Sequence, residues 1–159
     1  MTDVLSDETV RVLDWAKQLF LAKDLAAFAE MFAEDGTHEL PFAPPGVPAF
    51  LRGKANIRRY LTSITATPLR LTGFGEMSVH RTSDPEVVIA EYSGHGVVVS
   101  TGKPYTMPYV QVIRVHNGEI AMWRDYWSPL AGFRALGLRG TVSVLTRRII
   151  DSVRRRIRR

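Results

Sequence analysis

The spacing of apolar residues changes near residue 69. Before that point, apolar residues recur at intervals of three and four, which predicts amphipathic helices over about residues 6–22, 24–35 and 54–64. A short strand is predicted at residues 37–42, followed by a stiff, apolar, proline-rich loop at 43–48. The apolar helix faces are interpreted as core.

After residue 69 the pattern becomes typical of β-strands. Strands are predicted over about residues 69–80, 86–100, 105–115 and 119–127, joined by short turns. Strands connected in this way form an antiparallel meander, so the predicted fold class is α+β, with three helices packed on one face of a curved antiparallel sheet. A curved sheet half-closed over helices leaves a pocket for a small molecule.

One face of the last predicted strand carries an acid between two indoles. Side chains two residues apart in a strand share a face, which groups Trp123, Asp125 and Trp127. If that face is buried, the pKa of Asp125 rises, because the ionised form loses its water. Such a carboxyl group suits acid–base chemistry, and the alternative is a structural ion pair with a nearby arginine. The opposite face is predicted to hold Ile120, Met122, Arg124 and Tyr126.

The amino-acid composition restricts which catalytic groups and metal sites the chain can contain. There is no cysteine, which excludes disulfides and thiolate catalysis, and the four histidines show no short metal-ligand spacing. Neither a metal nor another cofactor is therefore expected. The chain has no run of 18 apolar residues and no basic-then-apolar leader pattern, so a cytoplasmic location is predicted.

The net charge of +5 comes from the C-terminal end. Residues 139–159 hold eight arginines and one aspartate, which leaves 13 basic and 15 acidic residues in the rest of the chain. Nucleic-acid binding by the whole domain is therefore not expected. Residues 141–159 have the pattern of a basic amphipathic helix, which would contact an anionic membrane surface or an acidic partner, or remain a solvated terminal helix.

Several short segments resemble the NTF2-like superfamily. They are residues 31–36 (MFAEDG), 40–41 (LP), 51–57 (LRGKANI) and 117–120 (NGEI). Within it, residues 41–48 (PFAPPGVP), 124–130 (RDYWSPL) and 134–137 (RALG) resemble the SnoaL-like polyketide cyclases and the PhzA/PhzB-like phenazine biosynthesis proteins. The resemblance implies a cone-shaped α+β barrel over residues 1–138, usually homodimeric, with residues 139–159 as a separate basic tail.

The resemblance also implies which residues do chemistry. The ketosteroid isomerases of the superfamily hold their base just before the proline of the first strand, where this chain has Leu40. Their oxyanion tyrosine would fall near Ala16, and residues 105–115 contain no acid, so that machinery is not expected. The acid in the last strand of the cyclases and phenazine proteins matches Asp125. Trp127 matches a pocket-lining tryptophan of the isomerases.

The remaining candidates line the same predicted pocket. His38 is a candidate proton-transfer partner of Asp125, or else a core histidine. Its strand face also carries Leu40 and Phe42 as candidate substrate contacts. Tyr60 and Tyr109 would offer hydroxyl groups to a ligand, or belong to the core. Trp123 and Trp127 complete the set of substrate-binding candidates.

Two functions fit these residues. The first is a cofactor-independent isomerase, cyclase or dehydratase acting on a small, mostly apolar, carbonyl-bearing metabolite of natural-product biosynthesis. In that reaction Asp125 moves a proton, because enolisation needs only a base and a stabilised oxyanion. The alternative is a non-catalytic dimeric protein that binds or carries a small molecule.

Overall fold

The computed structural model describes residues 2–65 and 67–137, with side chains from residue 7 onward. The predicted basic helix at 141–159 lies outside this range. The helices are α1 (Thr2–Ala22), α2 (Leu25–Glu30), α3 (Lys54–Ser63) and a last helical stretch, α4, at residues 129–137. The strands are β1 (Phe32–Glu39), β2 (Phe50–Arg52), β3 (Leu69–Phe74), β4 (Ser78–Arg81), β5 (Val87–Val98), β6 (Pro104–His116) and β7 (Glu119–Trp127).

The strands form one curved, open sheet in the order β2-β1-β7-β6-β5-β3, with β4 also paired to β5. The α+β class is confirmed, and β5, β6 and β7 form the predicted antiparallel meander, but the sheet as a whole is mixed, because β1 and β7 run parallel. The reason is topological: β2, α3 and the whole meander intervene before β7 returns beside β1. None of the helices in the described ranges is both long and apolar enough to span a bilayer.

The second predicted helix is shorter than its sequence pattern suggests. Asp24 caps α2 by accepting a hydrogen bond from the Ala27 N–H, but the helix ends at Glu30. Phe32 already pairs with Ile120 in the β1–β7 ladder. Residues 32–36 are therefore strand and not helix. The spacing of Phe28 and Phe32 suits both states, and pairing with β7 selects the strand.

The main core lies between the helices and the inner face of the sheet. Phe28 of α2 meets Trp123 of β7 edge-on at 5.1 Å between ring centroids, and both are almost fully buried. Ile120 is also fully buried, although the alternation of the strand predicts it on the outer face. A register shift between Arg114 and Val115 explains the difference, because a bulge reverses the alternation.

Glycines let β3, β5 and β6 approach closely at the bend of the sheet. A Cβ atom on Gly96 would collide with the carbonyl oxygen of Arg70 and lie 2.6 Å from the side chain of Tyr105. Gly73, on the neighbouring strand, has no atom within 4 Å of the equivalent position. The close packing of the sheet therefore requires a glycine at position 96, whereas a side chain at position 73 would meet no neighbouring atom.

We expect Gly96→Ala to lower the free energy of unfolding by about 1–3 kcal/mol, because neither the backbone of Arg70 nor the packed ring of Tyr105 can yield freely. Urea denaturation measures the effect, and Gly73→Ala is the matched control, with little or no loss. Equal stability of the two variants would contradict this account of the bend.

Candidate functional site

A cavity of about 320 Å³ opens between the inner face of the sheet and the helices. Apolar and aromatic side chains make up most of its wall, and α4 covers one side of it. Part of the wall is formed by the neighbouring strands β6 and β7, whose paired inner-face residues lie side by side. The polar residues that line the cavity are Lys23, His38, Tyr60, Thr65, Thr67, Tyr92, Tyr105, Tyr109, Gln111 and Asp125.

Asp125 lies on the inner face of β7 and borders the cavity. Its Oδ1 atom has no access to solvent and no hydrogen-bond partner among the described residues. Burial therefore raises the pKa of Asp125 from its ordinary value near 3.8 to about 7. A carboxyl group with this pKa is partly protonated and partly ionised at neutral pH.

Gln111 is the residue directly opposite Asp125 in the β6–β7 ladder. The hydroxyl group of Tyr92 donates a hydrogen bond of 2.7 Å to Gln111 Oε1, which leaves the amide N–H group available to Asp125. Hydrogen bonding from Gln111 lowers the pKa of Asp125, and this effect opposes the larger effect of burial. Gln111 and Tyr92 thus orient the carboxyl group.

Neither Gln111 nor Tyr92 was among the sequence candidates. The signal for Gln111 was present in the pattern: it is an amide on a strand face otherwise occupied by Met107, Tyr109 and Ile113, and it is almost fully buried. A buried amide needs partners, which is the physical reason to look for a polar site beside it. Its pairing with Asp125 required the register of the two strands.

The ion-pair interpretation of Asp125 has no support in the described residues, where Asp125 forms no salt bridge. The neighbouring arginine, Arg124, points to the other face of β7 and pairs with Glu39 of β1 at 2.6 Å between Nε and Oε2. This pair spans the parallel ladder from β1 to β7, in which Glu39 and Arg124 are register partners. The carboxyl group of Asp125 therefore borders the cavity without an ion-pair partner among the described residues.

His38 is 4% exposed and borders the cavity from β1, next to Trp123 in the ladder. Its ring packs against Phe32 and Tyr60, with centroids 6.0 and 6.1 Å away. Burial lowers the pKa of His38 to about 4, so the imidazole is neutral at physiological pH. It can donate or accept a hydrogen bond there, but it does not carry a positive charge.

The tautomer of His38 follows from its surroundings. Its Nδ1 atom is enclosed and has no hydrogen-bond partner among the described residues. An enclosed lone pair is less costly than an enclosed N–H group without an acceptor. We therefore assign the proton to Nε2, which makes the other side of the ring the hydrogen-bond donor.

Aromatic residues with polar edges complete the wall. Tyr109 stacks on Tyr92 at 5.5 Å between ring centroids and is the register partner of Trp127. Burial raises the pKa of the Tyr109 hydroxyl, and the charge of Asp125 raises it further. The phenol is therefore protonated at neutral pH and able to donate. Tyr60, Trp127 and Leu40 also border the cavity, as the sequence predicts.

Two predicted substrate contacts do not line the cavity. Phe42 is 60% exposed and packs against Tyr126 on the far side of β7, because β1 ends at Glu39 and the chain turns before Phe42. Trp123 does lie on the inner face, but Phe28 covers it and makes it part of the core. Strand alternation alone therefore predicted that Phe42 and Trp123 line the cavity, whereas Phe42 lies on the outer side of the sheet and Trp123 lies in the core.

This arrangement can move a proton inside an apolar space. Asp125 takes or gives a proton near pH 7, and the neutral Tyr109 and His38 can donate hydrogen bonds to a developing negative charge. Across residues 2–65 and 67–137, no three His, Asp or Glu side chains come together as they would around a metal ion.

Comparison with known proteins gives the same fold and a consistent set of relatives. The family model described as the SnoaL-like domain matches residues 12–123. The uncharacterized protein YesE of Bacillus subtilis is 38% identical over 117 residues, which are 74% of this chain and 79% of YesE. An uncharacterized PhzA/B-like protein of Pseudomonas aeruginosa is 32% identical over 72% of this chain and 79% of its own length.

A solved structure from Bacillus subtilis, provisionally assigned as an isomerase, superposes with a TM-score of 0.76 at 34% identity. The match covers 82% of this chain and 94% of that protein. A provisionally assigned polyketide cyclase from Xanthomonas campestris pv. campestris has a TM-score of 0.69 at 20% identity, covering 84% and 99% of the two chains. At that identity the similarity concerns the fold alone.

The raised pKa of Asp125 predicts how the stability of Asp125→Asn depends on pH. Below the unfolded pKa of about 3.9, the wild-type carboxyl group is neutral in both states, and the substitution should matter little. As the pH rises to about 7, the folded wild type loses stability relative to the variant, because burial disfavours the charge. Asn should therefore become stabilising by up to about 4 kcal/mol at pH 8.

Urea denaturation of both proteins between pH 4 and pH 8 measures this difference. Asp35→Asn is the control, because Asp35 is an exposed residue of β1. A constant difference between wild type and Asp125→Asn across the range would show that the carboxyl group is not enclosed as described.

Proposed function

This chain belongs to the family of SnoaL-like domains, and from that membership and the cavity chemistry we propose that it is a cofactor-independent acid–base enzyme. Its substrate is a small, mostly apolar, carbonyl-bearing molecule, and its reaction is an isomerisation, cyclisation or dehydration. The relative from Bacillus subtilis that is provisionally assigned as an isomerase, at 34% identity, supports this class of reaction. A place in natural-product biosynthesis is part of the proposal.

One observation carries the proposal: Oδ1 of Asp125 is enclosed, and the carboxyl group lacks a salt bridge among the described residues and borders an apolar cavity. Keeping such a group lowers stability, so a purely structural role would favour an amide or an apolar residue there. The pKa of about 7 suits proton transfer, since a catalytic acid or base works best near the operating pH.

The proposed reaction begins when ionised Asp125 removes a proton from the carbon next to the substrate carbonyl. The electron pair of the broken C–H bond forms a C=C bond to the carbonyl carbon, and the π pair of the carbonyl moves to its oxygen, which gives an enolate. The neutral hydroxyl of Tyr109 and the Nε2–H of His38 are the candidate donors to that oxygen. In the isomerisation of a β,γ-unsaturated carbonyl compound, Asp125 returns its proton to the γ carbon. In a cyclisation the enolate carbon attacks a second carbonyl, whose oxygen takes the proton from Asp125. In a dehydration the enolate expels a β-hydroxyl group, which leaves as water with that proton.

Gln111 and Tyr92 have a supporting role in this mechanism. The Tyr92 hydroxyl holds Gln111 Oε1 at 2.7 Å, and the amide in turn faces the carboxyl group. A fixed carboxyl group transfers a proton faster than a mobile one, because proton transfer requires a close and directed approach. These two residues are therefore positioning residues and do not exchange protons with the substrate.

A non-catalytic binding function is the second candidate. It is favoured by one fact: Asp125 is the sole carboxylate among the described residues that line the cavity. A carrier protein would bind the same class of molecule without exchanging its protons. Measuring proton exchange on a bound ketone separates the two functions without knowledge of the natural substrate.

We expect the wild-type protein to accelerate exchange of the α-protons of 2-tetralone in D₂O, followed by proton NMR. Asp125→Asn should lose at least about 100-fold of the acceleration, since a positioned base contributes roughly 10² to 10⁴. The wild-type rate should rise with pH through an apparent pKa near 7. Glu91→Gln, on an exposed residue of β5, is the control. Binding of 2-tetralone without any acceleration would identify the carrier function.

The low pKa of His38 leads to a separate expectation. Because the imidazole is neutral above about pH 5, His38→Leu should slow the exchange by removing a donor, without removing a step from the pH profile. His38→Asn, which retains an N–H donor, should recover part of the rate. A wild-type profile with a step near pH 6.5 that His38→Leu abolishes would show that His38 itself titrates during the reaction.

A further inference from the structure

Lys23 ends α1 in a conformation that normally belongs to glycine. Its φ angle is +59°, in the left-handed region. The Lys23 N–H donates to the carbonyl of Phe20 at 3.1 Å, and the Asp24 N–H donates to the carbonyl of Leu19 at 2.9 Å. This pair of bonds is the Schellman motif, in which glycine is favoured because a side chain is strained there. Glycine would be more stable at this position, so stability alone does not account for the lysine.

Lys23 lines the cavity and is exposed to solvent, so it lies at the mouth, where the cavity opens. It is the sole lysine or arginine among the described residues that line it. In the described ranges Lys23 forms no ion pair, and the adjacent carboxylate of Asp24 is already the N-cap of α2, accepting from Ala27 N–H at 2.9 Å. No described carboxylate therefore forms an ion pair with Lys23, and its ammonium group is available to a ligand.

The deep end of the cavity has the opposite preference. Asp125 is there, and its ionised form would repel a second anion close to it, because apolar surroundings screen charge weakly. His38 is neutral and cannot compensate such a charge. A ligand with an anionic group can therefore enter only with that group at the mouth and its apolar body inside.

We infer that the cavity takes an organic carboxylic acid, with the apolar carbonyl-bearing body directed to Asp125 and the carboxylate paired with Lys23 at the mouth. This deepens the proposed function by naming the substrate class, and it rests on that function only for the identity of the cavity. A carboxylate suits a lone ammonium, because its single negative charge matches the single positive charge of the lysine. A lysine that served only the helix dipole would need no such ligand.

The test compares 2-naphthylacetic acid with its methyl ester, which have the same apolar body and differ in charge. Titration calorimetry at pH 6 keeps Asp125 mostly protonated while the probe acid is ionised. We expect the acid to bind about three- to tenfold more tightly than the ester, with the preference decreasing as salt is added. Lys23→Arg should keep the preference, and Lys23→Gln should abolish it.

Two further variants make the result specific. Lys103→Gln removes an exposed lysine from the turn before β6 and should leave the preference unchanged. Lys23→Gly relieves the backbone strain, so it should raise the urea midpoint while it abolishes the preference for the acid. An unchanged or lowered midpoint in Lys23→Gly would show that the backbone of Lys23 is not strained, and that result would count against the inference.

Equal binding of acid and ester to the wild type would overturn the inference, and so would a preference that survives Lys23→Gln. Failure of both probes to bind at millimolar concentration would also overturn it, since the cavity must accept an apolar body of this size. The outcome is independent of turnover. A charge preference without α-proton exchange would leave this inference standing and remove the proposed enzyme.

Discussion

The removal of water from one carboxyl group is the constraint on which the candidate site depends. Asp125 lies on the central strand β7, between β1 and β6, so the sheet holds it from both sides. Its Oδ1 atom reaches neither solvent nor a hydrogen-bond donor in the described part of the chain. The resulting pKa of about 7 is a property of this enclosure, because an exposed aspartate in the same sequence would remain fully ionised.

The surroundings of Asp125 balance two opposing effects. Apolar walls raise its pKa, and the amide of Gln111, held by the Tyr92 hydroxyl, lowers it. The ionised form is therefore destabilised without being excluded, which is what an acid that must also act as a base requires. The opposite face of the same strand shows a contrasting solution: there Arg124 and Glu39 form a conventional ion pair across the β1–β7 ladder.

Polarity is distributed unevenly along the cavity, from its mouth to its deep end. The mouth carries the positive charge of Lys23, the walls are aromatic and aliphatic, and the deep end holds Asp125 and the neutral His38. Such a gradient orients an amphipathic ligand before any chemistry takes place. The strained backbone of Lys23 and the enclosed carboxyl group both reduce stability, and such features concentrate at functional sites.

Periodicity alone determined much of the fold. The strand at Glu119–Trp127 was predicted with its observed bounds, and the other long strands and all three predicted helices were located, because local alternation and helical spacing need no distant partner. The same alternation predicted that Asp125 and Trp127 share a face, and the resemblance implied that this face lines the pocket. The resemblance to NTF2-like proteins was confirmed by the family match and the structural relatives.

Only the tertiary structure decided the rest. Pairing with β7 made Phe32 a strand residue, a bulge turned Ile120 inward, and the end of β1 removed Phe42 from the cavity. The pairing of Gln111 with Asp125 depends on the register of two strands, and the low pKa of His38 depends on what surrounds it. The reason is common to all of these: register, burial and pKa are set by residues distant in sequence, whereas spacing reports only a residue's neighbours along the chain.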